Sequence, residues 1–197
     1  MNDTSNKVNT HNGHEFVDLG LPSGTLWATC NVGATSPEQA GLYFAFGETT
    51  GFTAEQVKNG ERAFNDKSYK AKDISTNLTL EQDAAHIYMG GKWRMPTVGY
   101  YQELIDNCNV VETDDYNGTG VAGRVFTSKV NGNSVFLPAA GYCYNSAVRY
   151  VGSRARYWSA SWGSSSNAWR IHFDSEGQGL DYTYRLYGYS VRGVCEK

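Results

Sequence analysis

Alternation of apolar and polar positions opens the patterned part of the chain. Phe16 to Leu21 puts Val17, Leu19 and Leu21 on one side, as a half-buried strand requires. Pro22-Ser23-Gly24 supplies a turn, and Thr25 to Cys30 returns as a second strand. Leu42 to Phe46 is an unbroken apolar run ahead of Gly47 and reads as a buried segment. Residues 51–78 are polar and weakly patterned, which predicts a long surface insertion.

The period then lengthens. Thr79 can cap a helix on which Leu80, Ala84, Ile87 and Tyr88 share a face, ended by Gly90-Gly91. Pro96-Thr97 opens a second helix with Tyr101, Leu104, Ile105 and Cys108 as its apolar stripe. From Val121 the period returns to two, and 125–129, 134–138 and 157–161 read as short strands. In the next strand Trp169, Ile171 and Phe173 face the core, leaving Arg170, His172 and Asp174 outward. Leu180 and Tyr182 continue inward, with Asp181 and Thr183 outward, and a last strand covers about 189–195. Two helices amid many strands, without a repeated βαβ unit, predict an α+β class. Residues 14–197 form one domain, and the polar residues 1–13 before it are expected to be loose.

Composition sharpens this picture at one end of the chain. The 197 residues suffice for one core, and 40% hydrophobic with 19% charged residues excludes a disordered chain. A net charge of −3 offers no basic field for nucleic acid, and no apolar run approaches a transmembrane helix. The opening MNDTSNKVNTHNGHE has no signal-peptide core, so either no signal exists or it was trimmed before a new Met. From Tyr142 to Lys197 lie 8 of the 14 Tyr, 3 of the 5 Trp and 6 of the 9 Arg, with Lys197 the only Lys. That excess, with nine Ser, is the composition of an interaction surface resembling a paratope. For any single aromatic, the interior of a Tyr-rich sheet is the alternative.

The motifs that would carry other chemistry are weak. Gly118 to Gly123 matches G-x-G-x-x-G, but a polar run precedes it and a strand pattern follows, so a glycine turn is expected. His11, His14 and Glu15 lie together near the start, while His86 and His172 are far apart, and no metal site is expected. Asp114, Asp115 and Asn117 resemble half a calcium loop whose first ligand position holds Thr113; a capped turn is the better reading. No G-x-S-x-G elbow occurs. The loop Gly163 to Asn167 can offer hydrogen bonds to a ligand. Cys143, with Arg149 nearby, is the one candidate nucleophile. Four cysteines allow three pairings; Cys30 and Cys108 read as buried thiols, and Cys143 and Cys195 could bridge the aromatic region.

Four stretches in order carry a resemblance: HEFVDLGLPSGTLWATCNVGA at 14–34, GKWRMPT at 91–97, FLPAAGY at 136–142, and YWS at 157–159 with YGYSVR at 187–192. Together they resemble a gut-bacterial group related to the Fibrobacter-type major paralogous domain. The resemblance implies a C-type lectin fold of the formylglycine-generating enzyme type, with two helices packed on short antiparallel sheets. That fold also carries the variable proteins of diversity-generating retroelements, in which adenine-directed mutagenesis randomises a C-terminal segment. It implies a display face within about 142–194, presenting Arg154, Arg156, Ser165, Asn167, Arg170, His172, Asp174, Asp181, Thr183, Tyr184 and Leu186. A mutated AAY codon cannot yield Trp, Glu, Gln, Lys or Met, so Trp162, Trp169, Glu176 and Gln178 would be template-fixed, with Trp162 an anchor at the edge of the site.

The departures are equally informative. The Glu-Pro-Asn and Trp-Asn-Asp motifs of calcium-dependent lectins are absent, and Cys143 and Cys195 do not match the oxidising cysteine pair of the enzymes. The expectation is therefore a non-enzymatic, receptor-binding protein of adhesin type, on a cell surface, outside the cell or on a phage particle. Its partner would be a protein or glycan receptor, with no cofactor, metal, nucleic acid or membrane insertion. The alternatives are an unvaried structural module of a surface lipoprotein or appendage, and an enzyme of the related superfamily.

Overall fold

Leu19 and Leu21, placed inward by the first alternation, are buried with Trp27 in one core cluster. In the computed structural model, which describes residues 9–197, β1 (Thr10–His11), β2 (His14–Asp18) and β3 (Leu26–Asn31) form an antiparallel ladder. The C-terminal strand β12 (Arg192–Cys195) completes this sheet against β3, giving the order β1-β2-β3-β12. Of the polar opening segment, residues 1–8 lie outside the described part; the rest enters β1, where His11 O accepts from the Trp93 indole at 2.9 Å.

The insertion is not uniformly superficial. Thr53 caps α1 (Ala54–Lys58) through a capping box with Gln56. Val57, Phe64 and Tyr69 then bury with Tyr43, Ala45 and Cys143 in a core cluster of their own. Beyond it, Leu80–Gln82 is a single 3-10 turn, and α2 (Ala84–Met89) starts afresh from Asp83. The buried Asp83 carboxylate accepts from the N–H groups of His86 (2.9 Å) and Met95 (2.8 Å). This restart rotates the expected face. Ala84, Ala85 and Met89 are buried, whereas Leu80, Ile87 and Tyr88 are exposed. The next helix, α3 (Val98–Asn107), keeps the expected Thr97 cap and buries Tyr101 and Leu104.

Nine strands follow α3, interrupted by a single 3-10 turn at Tyr116–Gly118. β4 (Cys108–Thr113), β5 (Gly123–Ser128) and β6 (Ser134–Pro138) make a three-stranded meander. β7 (Tyr142–Tyr144) and β8 (Ala147–Arg149) form a small hairpin with Asn145 at φ 50°. β9 (Ala155–Trp162) then opens a second three-stranded sheet with β10 (Asn167–Asp174) and β11 (Gly177–Tyr184), ordered β11-β10-β9. The expected α+β class is therefore corrected. Among the described residues the chain is mainly β, with twelve strands in four small antiparallel sheets and three short α-helices. Asp83 and Gly90 limit α2 to six residues, so α3 alone is long enough to cover a sheet.

One face of the β9–β11 sheet carries Tyr157, Ile171, Phe173 and Leu180 onto α3 and the Trp27 cluster. Its register fixes what the other face carries. Arg170 stands opposite Asp181 and Trp158, and His172 stands opposite Arg156 and Gly179.

The C-terminal arginines are not all surface groups. Arg192 is fully buried and donates to Asn31 Oδ1 (2.9 Å) and the carbonyls of Ala28 (2.9 Å), Thr29 (2.8 Å) and Phe136 (2.9 Å). It ties β12, β3 and β6 together. The four cysteines are free thiols, so no bridge joins Cys143 to Cys195.

Candidate functional site

The free face of the β9–β11 sheet holds alternate residues, because a strand points successive side chains to opposite sides. Arg170 makes a two-point contact with Asp181, Nε to Oδ1 at 2.6 Å and Nη2 to Oδ2 at 2.9 Å. His172 Nε2 lies 3.9 Å from the same carboxylate, and Arg156 reaches Asp174 at 3.5 Å. Burial holds the His172 imidazole below its ordinary value; Arg170 and Arg156 push the same way, against Asp181 and Asp174. Burial acts to raise the Asp174 carboxyl, but the Glu176 N–H and the Arg156 charge outweigh it and hold it low. Gly179 leaves room for the imidazole: a Cβ there would stand 3.1 Å from His172 Nε2.

Beside this charged row stands a graded cluster of seven aromatic rings. Trp158 (0% exposed) packs on Tyr189 (2% exposed) with ring centres 4.3 Å apart. Tyr187 stacks on Tyr189 at 6.0 Å, and Tyr142 sits edge-on to both, at 5.9 and 6.1 Å. Tyr144, Tyr150 and Tyr184 then lead outward, 37, 47 and 57% exposed. Arginines edge the cluster: Arg154 lies 4.2 Å over Tyr150, Arg170 5.5 Å over Tyr189 and Arg149 6.0 Å over Tyr144. Gly141 aims this group. At φ 67°, a Cβ there would meet Arg149 O at 2.1 Å, so only glycine lets the chain turn into β7.

Two hollows flank the face. One, of about 400 Å³, is bounded by Tyr150, Ser153, Arg154, Asp174, Ser175 and Glu176. The other, of about 290 Å³, lies between Asp66, Tyr69 and Lys72 of the insertion and Ser165, Ser166 and Tyr184 to Leu186.

The expected display positions are thus divided rather than continuous. Arg154, Arg156, Arg170, His172, Asp174, Asp181 and Thr183 belong to the charged row and the first hollow. Ser165, Tyr184 and Leu186 line the second hollow, with Asn167 opposite Tyr184 on the neighbouring strand. Trp162 joins neither; its indole donates to Ile74 O at 3.2 Å and its ring packs on a core cluster. Arg156 is buried rather than displayed, because Asp174 and its own strand's Ala155 carbonyl hold it inward. A bulge in β9, between the partners of Ala168 and Arg170, lets the side that carries Arg170 bury Ala168 against Trp158 and Ala160. Ala168 takes the core position, and Trp169 is half-buried against the exposed ring of Tyr182.

Tyr142, Tyr144, Tyr150, Tyr187 and Arg149 were not singled out by alternation, since short hairpins carry too few residues to show a period. The regional Tyr and Arg excess was the signal that pointed to them. Elsewhere, His11 Nε2 accepts from Lys92 N–H at 3.0 Å and His14 packs edge-on to Trp93. Cys143 is buried, and that burial pushes its thiol up, the reverse of an activated nucleophile. Gly123 ends the glycine motif and opens β5 rather than a helix. No helix among the described residues is long and apolar enough to cross a membrane.

A family model described as a domain of unknown function (DUF8237) matches residues 105–194. That span runs from within α3 into β12 and includes the whole candidate face. No curated protein matches the chain, and no solved structure does.

Proposed function

We propose that the chain is a non-enzymatic, receptor-binding protein of adhesin type that captures its ligand on the face formed by the β7–β8 hairpin and the β9–β11 sheet. The observation that carries this reading is the graded aromatic cluster, anchored on Trp158 and Tyr189 and opening outward through Tyr144, Tyr150 and Tyr184. Rings fixed at one end and exposed at the other give large contact area at low rotamer cost, and arginines around them add directional bonds. Such a face belongs outside the cell, on its surface or on a phage particle, against a protein or glycan receptor.

The resemblance to diversity-generating retroelement proteins adds a source for the face. Arg154, Ser165, Asn167, His172, Asp181, Thr183 and Tyr184 all hold residues that a mutated AAY codon can encode. Trp162, which such a codon cannot encode, is partly buried and packs against a core cluster.

Fluorescently labelled protein applied to bacterial cells of several species tests the reading by flow cytometry. A subset of species is labelled, and combined Tyr144→Ala, Tyr150→Ala and Tyr184→Ala substitution abolishes labelling while Tm moves by no more than about 2 °C. Labelling of no species, or labelling indifferent to the three substitutions, overturns it. The retroelement part is tested in DNA: a near-copy of the sequence encoding about residues 150–194, beside a reverse transcriptase and differing at adenines. Its absence favours an unvaried surface module.

A further inference from the structure

Arg185 is a buried arginine on this side of the molecule that no carboxylate of the described residues meets. It follows β11 and is 1% exposed. Its Nε donates to Asn167 O at 3.4 Å, Nη2 donates to Ser164 O, and its guanidinium lies 5.5 Å over the Phe46 ring. Nη1 is buried and has no hydrogen-bond partner among the described residues. No carboxylate of those residues pairs with it. Glu48, on the neighbouring loop, is taken by Arg62 (2.6 Å) and by the Lys70 N–H (2.7 Å). A buried, unpaired guanidinium with a free donor costs several kcal/mol unless an anion meets it.

Arg185 also lines the hollow of about 290 Å³, together with Lys72, Asp66, Ser165, Ser166 and Tyr184. Lys72 and Asp66 pair at 3.1 Å on the exposed rim and cancel each other. One uncompensated positive charge therefore remains, which suits a monoanion better than a sulfate or phosphate dianion. The walls add two hydroxyls and an exposed tyrosine ring, the combination that receives the hydroxyls and apolar face of a sugar. The volume is at the small end for ligand pockets and leaves room for little more than one ring and its substituents.

We infer that this hollow is a subsite for a carboxylate-bearing sugar, such as a uronic acid residue of a surface glycan, with the Arg185 guanidinium as the charge that draws the carboxylate and Tyr184 stacking on the ring. The inference rests on the ligand-binding reading above and names the chemistry of one part of that face.

Titration of the full chain with methyl β-glucuronide tests it, followed by NMR at the amides of Ser165, Ser166, Tyr184 and Leu186 and at the Arg185 Nε–H. Saturable shifts at these groups are expected, with methyl β-glucoside, its neutral counterpart, at least about tenfold weaker. Arg185→Gln removes the anion preference, and because that variant can fail to fold, Tyr184→Ala and Ser165→Ala provide exposed controls. Each weakens glucuronide binding several-fold at unchanged Tm. Equal binding of glucoside overturns the carboxylate contact. Acetate, sulfate or a dipeptide with a free C-terminal carboxylate binding as tightly as glucuronide overturns the sugar. Silence of all probes, with cell labelling still sensitive to Tyr144→Ala and Tyr150→Ala, overturns the subsite alone. Labelling indifferent to those substitutions overturns the wider reading, whatever the sugar does.

Discussion

Arg192 and His172 show two ways in which a polar residue is made to serve this fold. Arg192 has no acidic partner; a side-chain amide oxygen and three carbonyls replace the water it has lost. Its planar fork spans three strands at once, a geometry that an ammonium on a flexible stem does not reproduce. Arg192→Lys is therefore expected to destabilise by about 2–4 kcal/mol, read by urea unfolding. His172 works through its charge state. Its folded value lies below the ordinary 6.5, so in that window the unfolded chain binds the proton first. Its contribution to stability is complete above about pH 6.5 and is lost as pH falls toward the folded value. Thermal unfolding between pH 7.5 and 5 should show Tm falling, and His172→Asn should flatten that fall. An unchanged slope in the variant would assign the pH dependence to other groups.

The elements explain what could be read ahead and what could not. The alternation over 16–21 and the return after the Pro22-Ser23-Gly24 turn over 25–30 located β2 and β3 to within a few residues, and the Pro96-Thr97 opening with its Tyr101 and Leu104 stripe located α3. The same reasoning misjudged α2, because a buried carboxylate at Asp83 restarts the helix and changes which side faces inward. β7 and β8 are three residues each, too short for any periodicity, so the hairpin carrying Tyr142 and Tyr144 was invisible to it. Undercounting such strands is also why helix weighed too heavily in the expected class. Of the site, the charged alternation of Arg170, His172 and Asp174 was legible; the inward turn of Arg156 and the bulge in β9 depend on partners distant in sequence. Gly141 sets the hairpin's direction. Gly141→Ala should cost at least about 1–3 kcal/mol and weaken the near-ultraviolet tyrosine signal, since both the φ of 67° and the approach of Arg149 O exclude a Cβ. Full stability in that variant would show that the hairpin can turn another way.

At the scale of the molecule, the excess of Tyr, Trp and Arg after residue 142 divides into a buried and an exposed set. Tyr157, Trp158, Tyr189, Arg185 and Arg192 are buried, whereas Tyr144, Tyr150, Tyr182 and Tyr184 are exposed. Tyr144 and Tyr150 flank the β7–β8 hairpin, whose Cys143 and Val148 pack on the cluster of Phe64 and Tyr69, and Tyr182 and Tyr184 project from the end of β11 beyond the packed Leu180.

The position of β12 adds a consequence for errors of reading frame upstream of it. The strand that closes the N-terminal sheet, and the arginine that locks it, are translated only after every codon of the face has been read. A frameshift or premature stop anywhere between 142 and 191 deletes or scrambles Arg192 to Cys195, and the first sheet is left with an open edge against β3. Nonsense and frameshift changes in this stretch therefore remove the closing strand as well as the residues they alter.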